Sequence, residues 1–181
     1  MKKVLTILLT LLLCLPALAE TADMPAQPNP EGWRYMGYTP AGVTFLIPED
    51  TQSYPLTAAD RAAGVVFVGF SDAYTVQLRR FEPEQMDLAA FRAMLRFAPG
   101  AQVEIRGEEG SEIIIYRNGS PTGVSELVGI ALTGTDGCMY KISIFTGVDE
   151  DCSEEAPVWD IAAQIAESVA IVDYSGWPVE N

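Results

Sequence analysis

The sequence predicts an α+β fold, an antiparallel sheet of about six to seven strands covered by two main helices. Short segments in which apolar and polar residues alternate recur along the chain with turn-forming residues between them, as is typical of antiparallel strands. Two longer segments, from Asp87 to Ala98 and from Pro157 to Val172, instead space their apolar residues as amphipathic helices do. The order of three strands, a helix, four strands and a helix is typical of an α+β sandwich.

The first 19 residues are predicted to be a secretory signal peptide. Lys2 and Lys3 precede about a dozen apolar residues, which are followed by the small-residue sequence Ala-Leu-Ala at positions 17–19. A membrane-spanning helix is not favoured, because it needs roughly 20 apolar residues. Lipid attachment at Cys14 is a less favoured alternative, because leucines and no small residue precede this cysteine. We therefore expect cleavage after Ala19 and a secreted or extracytoplasmic location.

Cleavage leaves 162 residues, divided into a proline-rich tether at 20–31, one domain at 32–178 and a tail at 179–181. This mature chain has nine basic and 25 acidic residues, a net charge of −16. Phosphates would repel such a charge, so nucleic acid and anionic membrane surfaces are not expected partners. Cations or basic partners are compatible with it, but the acidic surface of a soluble monomer is the simpler interpretation. No membrane span is expected after signal removal.

The domain is predicted to begin with aromatic residues and a strand. Trp33, Tyr35 and Tyr38 are expected to cover a sheet edge, with a carbohydrate-binding platform as the less favoured alternative. The segment from Gly42 to Ile47 predicts the first strand, which Pro48 ends.

A short helix, a hairpin and the first main helix are predicted next. Thr57 is expected to cap one or two helical turns that Gly64 ends. The segments from Val65 to Phe70 and from Tyr74 to Phe81 predict the two strands of a hairpin. Asp87 then caps the first main helix, and a Pro-Gly pair ends it.

Four successive strands are predicted to form an antiparallel meander. The first two run from Gln102 to Arg106 and from Glu112 to Arg117, and the other two form a long hairpin about residues 134–137. Because side chains alternate across a strand, the last strand gathers one set of residues on a single side, namely Cys138, Tyr140, Ile142 and Ile144.

The terminal helix is predicted to cover this sheet. Pro157 suits its first position, where a missing N–H leaves no bond unmade. Its apolar stripe consists of Val158, Ile161, Ile165, Val169 and Val172. Tyr174 and Trp177 are expected to complete the packing beyond its end.

Four segments of the chain resemble the PsbP-like superfamily. They are GVTFLIP at 42–48, MDLAAFRAMLRF at 86–97, the hairpin GIALTGTDGCMYKISIF at 129–145 and the terminal helix. The resemblance extends roughly from Tyr38 to Asp173 and depends on the order of elements and their apolar pattern. It implies an α+β sandwich in a small exported bacterial protein or lipoprotein. It implies no particular activity, since one fold can host unrelated functions.

The chain lacks the residues and motifs of the common catalytic sites. It contains no histidine, which excludes the Ser-His-Asp triad, Cys-His activation and the usual zinc sites. It also lacks the G-x-S-x-G elbow and the glycine-rich phosphate-binding sequences. Catalysis by a pair of carboxylates is still compatible with 25 acidic residues. The sequence therefore assigns no catalytic residue and no cofactor.

An acidic run before the terminal helix has the spacing of a calcium loop. Its candidate ligands occur at alternate positions, namely Asp149, Asp151, Ser153 and Glu155. Glu154 occupies the place where such a loop needs glycine, and Pro157 interrupts it, so calcium is not favoured. The preferred interpretation is that these acids are stabilised by the positive end of the helix dipole.

Lys141 is the one lysine left after processing, and its place inside a strand makes it a weak site candidate. The favoured alternative is that it pairs with a carboxylate or extends to water. Four arginines form a second candidate group, an anion site consisting of Arg79, Arg80, Arg92 and Arg96. Arginines one helical turn apart more often form the solvated face of a helix.

Cys138 and Cys152 are the two cysteines of the mature chain, so a disulfide between them is possible in an oxidising compartment. The strand from Cys138 to Phe145 travels about 23 Å. The segment from Phe145 to Cys152 spans about the same distance only when fully extended. Little slack remains to bring the two Cα atoms within about 7 Å. The bridge is therefore not favoured, and we expect two free thiols, with Cys138 buried.

Two classes of function follow from these observations. The preferred one is a non-catalytic binding or accessory domain outside the cytoplasm, whose partner is an unidentified protein, envelope component or small ligand. The alternative is an extracytoplasmic hydrolase that uses carboxylates, or Lys141 with a serine, in a cleft.

Overall fold

Ten strands, three α-helices and a 3₁₀ helix at Thr39–Ala41 make up the regular structure of the described residues, which are 29–119, 125–146, 153 and 156–174 of the computed structural model. The strands are β1 (Trp33–Tyr38), β2 (Val43–Pro48), β3 (Gln52–Ser53), β4 (Val65–Phe70), β5 (Tyr74–Phe81), β6 (Gln102–Arg106), β7 (Ile113–Arg117), β8 (Glu126–Thr133), β9 (Met139–Thr146) and β10 (Ala170–Ile171). The α-helices are α1 (Ala58–Ala62), α2 (Leu88–Leu95) and α3 (Val158–Ser168). None of the helices in these ranges has the length and apolar character that crossing a membrane requires.

The strands pair into two antiparallel sheets. The larger sheet has seven strands in the order β3-β4-β5-β9-β8-β7-β6, and the smaller has the order β1-β2-β10. The predicted meander from β6 to β9 and the predicted β4–β5 hairpin are both confirmed. The two groups join along β5 and β9, in a register that runs from Tyr74 opposite Thr146 to Phe81 opposite Met139.

The seven-stranded sheet is covered on both faces. Ile142 of β9 packs in the main core with Phe45 of β2 and Ile165 of α3. Met139, which the alternation of β9 places on the opposite face, packs with Phe91 of α2. The prediction of an antiparallel sheet covered by two main helices is therefore confirmed, and the helices lie on opposite faces.

The three-stranded sheet is an addition to the predicted fold. β1 pairs with β2 along its whole length, from Trp33 opposite Pro48 to Tyr38 opposite Val43. The aromatic segment expected to cover a sheet edge is thus itself a strand. Its period-two pattern is weak because only Met36 among its residues is buried.

Helix α2 ends at Leu95, three residues before the predicted end at Ala98. Beyond it, Phe97 N–H donates to Met94 and Ala98 N–H donates to Leu95, at 3.0 and 3.1 Å. These are the tighter bonds of a 3₁₀ turn. The following proline disfavours the helical conformation at the residue before it, so the α-helix stops early.

Helix α3 ends at Ser168, so the predicted extension to Val172 is wrong. Val169 is extended, with φ −64° and ψ 127°, and Ala170–Ile171 forms a strand that pairs with β2. Ser168 Oγ accepts a hydrogen bond from Leu46 N–H at 2.8 Å. The edge of β2 thus provides hydrogen-bond partners for Ser168 and for the backbone that follows it. If the helix continued for one more turn, the backbone groups of β2 would lose these partners.

Candidate functional site

A cleft lies where β4 begins, between α1 and the end of β5, and we call it the α1–β5 cleft. Its volume is about 710 Å³. Four large apolar side chains contribute to its walls, namely Tyr38, Leu56, Phe81 and Met86. Its charged lining consists of Arg61, Arg79, Arg80 and Glu82. A volume of this size lies within the range of small-molecule sites, roughly 300 to 1,000 Å³.

Local sequence features open this cleft at the edge of the sheet. β3 pairs only with Phe70 and Gly69, so the first half of β4 has no strand on its outer side among the described residues. A β-bulge interrupts the pairing between Val65 and Phe67, and bulges redirect the side chains near them. Gly64, with φ +82°, lies against β5, and a Cβ there would overlap the Arg80 carbonyl oxygen. Only glycine allows this approach.

Helix α1 forms the outer wall of the cleft and depends on its capping box. Asp60 N–H donates to Thr57 Oγ1 at 3.2 Å, and Thr57 N–H donates to Asp60 Oδ2 at 2.8 Å. The helix has five residues and buries none of them. The cap is therefore the main local source of its stability.

Arg80 is fully engaged by neighbouring groups, which we call the Arg80 cluster: Arg80, Glu82, Asp136, Cys138 and Tyr140. The guanidinium forms ion pairs with both carboxylates, at 3.3 Å for Asp136. It also donates to Cys138 Sγ at 3.0 Å, and Tyr140 O–H donates to Asp136 at 2.8 Å. The charge of Arg80 is thus compensated inside the protein.

The surroundings of the Arg80 cluster keep the Asp136 carboxylate charged and the Cys138 thiol protonated. Burial acts to raise the pKa of Asp136, but hydrogen bonds from three neighbours, first of all Tyr140, outweigh it and bring the pKa below its ordinary value. Burial, followed by the charge of Asp136, raises the pKa of Cys138. At neutral pH the carboxylate is therefore charged and the thiol protonated. A protonated thiol is a poor nucleophile.

Arg79 differs from its neighbour in having no acidic partner among the residues that the structure describes. Its guanidinium lies over the Phe81 ring, 4.6 Å from the ring centroid. Its Nε is buried and has no hydrogen-bond acceptor within the described part of the chain. Arg61 likewise forms no ion pair within that part of the chain. The cleft therefore contains two arginines that form no ion pair with any described residue.

Lys141 lies on the α2 side of the sheet and pairs with Glu126. Its Nζ is 2.9 Å from Glu126 Oε1, and the carboxylate also accepts a hydrogen bond from Tyr116 O–H. Nζ lies 5.8 and 5.4 Å from the ring centroids of Phe91 and Tyr116. A Cβ at Gly129 would overlap the Tyr116 ring, so glycine makes room for this arrangement. Lys141 does not line the α1–β5 cleft.

The candidate calcium ligands fall mostly outside the described residues. Asp149, Asp151 and Glu155 lie there, while Ser153 is exposed and its carbonyl oxygen accepts a hydrogen bond from Trp159 Nε1 at 2.9 Å. In the described part of the chain, no group of three or more acidic or cysteine side chains is placed to hold a metal ion. The expectation that calcium does not bind stays a prediction.

Cys138 is buried and is not disulfide-bonded among the described residues. Cys152, its partner in the less favoured disulfide alternative, lies outside them. The expectation of two free thiols therefore stays a prediction.

A second groove, of about 400 Å³, lies between α3 and strands β6 to β8. Arg106 pairs there with Glu104 at 2.6 Å, while Arg117, like Arg79, lies over an aromatic ring, that of Trp159. The described lining of this groove has two arginines and two acidic residues, whereas that of the α1–β5 cleft has three arginines and one acidic residue.

Only half of the arginine group predicted from the sequence meets in the structure. Arg79 and Arg80 line the α1–β5 cleft, whereas Arg92 pairs with Glu112 at 3.3 Å and Arg96 is exposed at the end of α2. Sequence reasoning missed Arg61 as a site residue, and it placed Tyr38 at a sheet edge without connecting it to β5. The cap and glycine around α1 were visible signals, but they did not show that α1 folds against the edge of β4.

Comparison with known proteins identifies the fold. No family model and no curated protein matches the sequence. Among solved structures, the solution structure of cyanobacterial PsbP (CyanoP) from Synechocystis sp. PCC 6803 is similar, with a TM-score of 0.52 and 17% sequence identity. The match covers 81% of this chain and 96% of that one. At this identity the likeness concerns architecture alone, and the chain adopts a PsbP-like fold.

Proposed function

We propose that this chain is a non-catalytic binding or accessory domain that acts outside the cytoplasm and takes a small ligand in the α1–β5 cleft. The observation that carries the proposal is the cleft itself, whose volume and mixture of apolar and arginine side chains suit a binding site. The PsbP-like fold is compatible with an accessory role but selects no activity.

The chemistry of the cleft favours binding over catalysis. Glu82 is the one acidic residue among the described residues that line it, and it forms an ion pair with Arg80. Hydrolysis by two carboxylates needs one that stays protonated, whereas the nearby Asp136 has a lowered pKa. The alternative, a hydrolase that uses carboxylates or Lys141, has no specific observation in its favour among the described residues.

Export is the part of the proposal that depends on the first 19 residues. The predicted signal peptide supports it. The mature protein, purified from the extracytoplasmic fraction of its cells, should begin at Glu20 when its N-terminus is determined by mass spectrometry. An intact N-terminus in a cytoplasmic fraction would contradict this location.

The binding role can be tested by blocking the cleft. Ala62 is exposed on α1 and lines the cleft, so Ala62→Trp should fill part of it without disturbing the core. Ala93→Trp, on the exposed surface of α2 outside the cleft, is the matched control. A fragment library is screened by ¹H–¹⁵N NMR against the three proteins. Fragments that shift cleft resonances should lose binding only in Ala62→Trp, and a screen with no such fragments would refute the proposal.

A further inference from the structure

We infer that the α1–β5 cleft takes a small organic acid, a carboxylate carried on an aryl or alkyl body, and that Arg79 is its principal contact. The inference rests on the proposed binding function and specifies its ligand class. Its first basis is the uneven placement of positive charge. Of the nine basic residues in the mature chain, three line this one cleft, together with a single acidic residue.

Only one of these three arginines forms ion pairs in the described part of the chain. Arg80 forms ion pairs with Glu82 and Asp136, whereas Arg61 and Arg79 form none within the described residues. The cleft is therefore locally positive on a chain whose net charge is −14. Such a site attracts an anion that the rest of the surface repels.

The geometry of Arg79 suits a carboxylate. Stacking on Phe81 at 4.6 Å holds the plane of the guanidinium, so less freedom is lost when a ligand binds. The buried Nε has no acceptor, which leaves part of the hydrogen-bonding capacity of Arg79 unfilled. A carboxylate supplies two oxygens that match the guanidinium edge in a bidentate pair.

The apolar walls determine the rest of the ligand. Tyr38, Leu56 and Met86 line the cleft together with the ring that supports Arg79. An inorganic anion would leave these walls in water, while a neutral apolar ligand would leave the arginines unpaired. A carboxylate on an apolar body satisfies both parts of the site.

The experiment compares matched probes by NMR titration and calorimetry. The probes are 3-phenylpropionate and octanoate, their neutral amides and inorganic sulfate. On the wild-type protein, the carboxylates should bind about tenfold more tightly than the amides, because a charge-assisted bidentate pair contributes at least that factor. The carboxylates should also bind more tightly than sulfate, and shifts should centre on the amides of Arg61 and Phe81.

Variants assign the preference to Arg79. Arg79→Gln should abolish the difference between carboxylate and amide, and Arg79→Lys, which keeps the charge without the fork, should retain part of it. Arg96→Gln removes the same charge from the exposed end of α2 and should leave the preference unchanged. Melting temperatures verify that each variant is folded. The comparison of the probes on the wild-type protein tests the ligand class whether or not a variant folds.

The outcomes separate this inference from the proposed function. If amides bind in the cleft as tightly as carboxylates, the anion inference fails and the binding function stands. If the preference persists in Arg79→Gln, the assignment to Arg79 fails. If sulfate binds as tightly as the carboxylates, the apolar body is not recognised and the ligand class is wrong. If no probe shifts cleft resonances, the ligand class is wrong, and the fragment screen decides the binding function.

Discussion

Lys141 lies directly opposite Arg79 across β5 and β9, so two cations share one face of the sheet. Like charges in this relation destabilise a strand pair. Glu126 on β8 offsets the repulsion by pairing with Lys141, and both side chains are only 20% exposed. The Glu126 carboxylate also accepts a hydrogen bond from the Tyr116 hydroxyl. The contact gives Lys141 a structural role within the sheet.

Breaking this pair should destabilise the fold. Lys141→Met and Glu126→Gln should each lower the free energy of unfolding by about 2 kcal/mol, because each leaves a half-buried charge without its partner. The double variant should lose less than the sum, and a double-mutant cycle by urea denaturation at pH 7 measures the difference. Strictly additive losses would show that the two side chains do not interact.

Tyr74 links the pH dependence of stability to a buried hydroxyl. Its O–H lies against Thr51 Oγ1, and burial raises the pKa of Tyr74 to about 12. The ordinary value is about 10. The folded state therefore favours the protonated ring, and this contribution to stability is complete below about pH 10 and is lost as pH rises toward about 12.

Tyr74→Phe should remove this part of the alkaline instability. We expect a loss of about 1 kcal/mol at pH 7, from the missing hydrogen bond, and a shallower decline than in wild type between about pH 10 and 11.5. Urea denaturation at several pH values measures both. Parallel curves for the two proteins would contradict the assignment of a raised pKa to Tyr74.

The state of the two thiols is decided by labelling. Alkylation of the unreduced, denatured mature protein should add two labels, on Cys138 and Cys152, because the predicted strand leaves little slack for a bridge. Mass spectrometry counts the labels. No labels before reduction and two after it would establish the disulfide instead. Alkylation of the native protein should spare Cys138, which is 4% exposed.

At the scale of elements, the caps decide how the two N-terminal helices begin. Asp87 Oδ1 accepts a hydrogen bond from Ala90 N–H at 2.7 Å and starts α2, which buries Phe91 against the sheet. Thr57 starts α1, which buries no residue. Loss of the Asp87 cap therefore affects a packed helix, whereas loss of the Thr57 cap affects a surface turn.

This difference predicts unequal costs for the two caps. Asp87→Ala should lower the free energy of unfolding by about 1 kcal/mol, the usual cost of a lost cap. Thr57→Ala should cost less globally but should speed hydrogen exchange at the amides of α1, because that helix opens locally. Asp87→Asn, which keeps an acceptor, should restore most of the stability. Equal global losses would show that α1 is part of the cooperative core.

At the scale of the whole molecule, the main core joins the two sheets and α3, while a smaller core lies under α2. The N-terminal residues that the structure describes are joined to the domain by backbone hydrogen bonds. Trp33 N–H donates to Pro30 at 3.0 Å, and Glu49 N–H donates to Gly32 at 2.9 Å. No core residue precedes Trp33 in the described chain.

A chain truncated to begin at Gly32 should therefore fold as a soluble monomer. Circular dichroism should show a single cooperative melt, and sedimentation should give the mass of one chain. A chain that begins at Asn29 keeps the Pro30 acceptor and serves as the control, and we expect it to be more stable by about 1 kcal/mol or less. Absence of cooperative melting in both would contradict the predicted domain boundary.

The sequence by itself determined most of the elements and most of the larger sheet. The meander from β6 to β9 and the β4–β5 hairpin connect neighbours in the chain, so alternation and turn residues were sufficient to predict them. The two faces of β9 followed from its period-two pattern, with Ile142 and Met139 in separate cores. These features depend on interactions within a few residues or between adjacent segments.

Tertiary structure alone decided the smaller sheet and the cleft. The hydrogen bond from Thr44 Oγ1 to the Ala170 carbonyl oxygen joins residues 126 positions apart. Ala170 lies here beyond the end of α3 and not in the predicted last turn of that helix. Arg61 and Arg79 come together only because α1 folds against the edge of β4. Local periodicity carries no information about which distant edges meet, since those pairings depend on how the finished layers pack. For that reason most of the elements were predictable and the cleft was not.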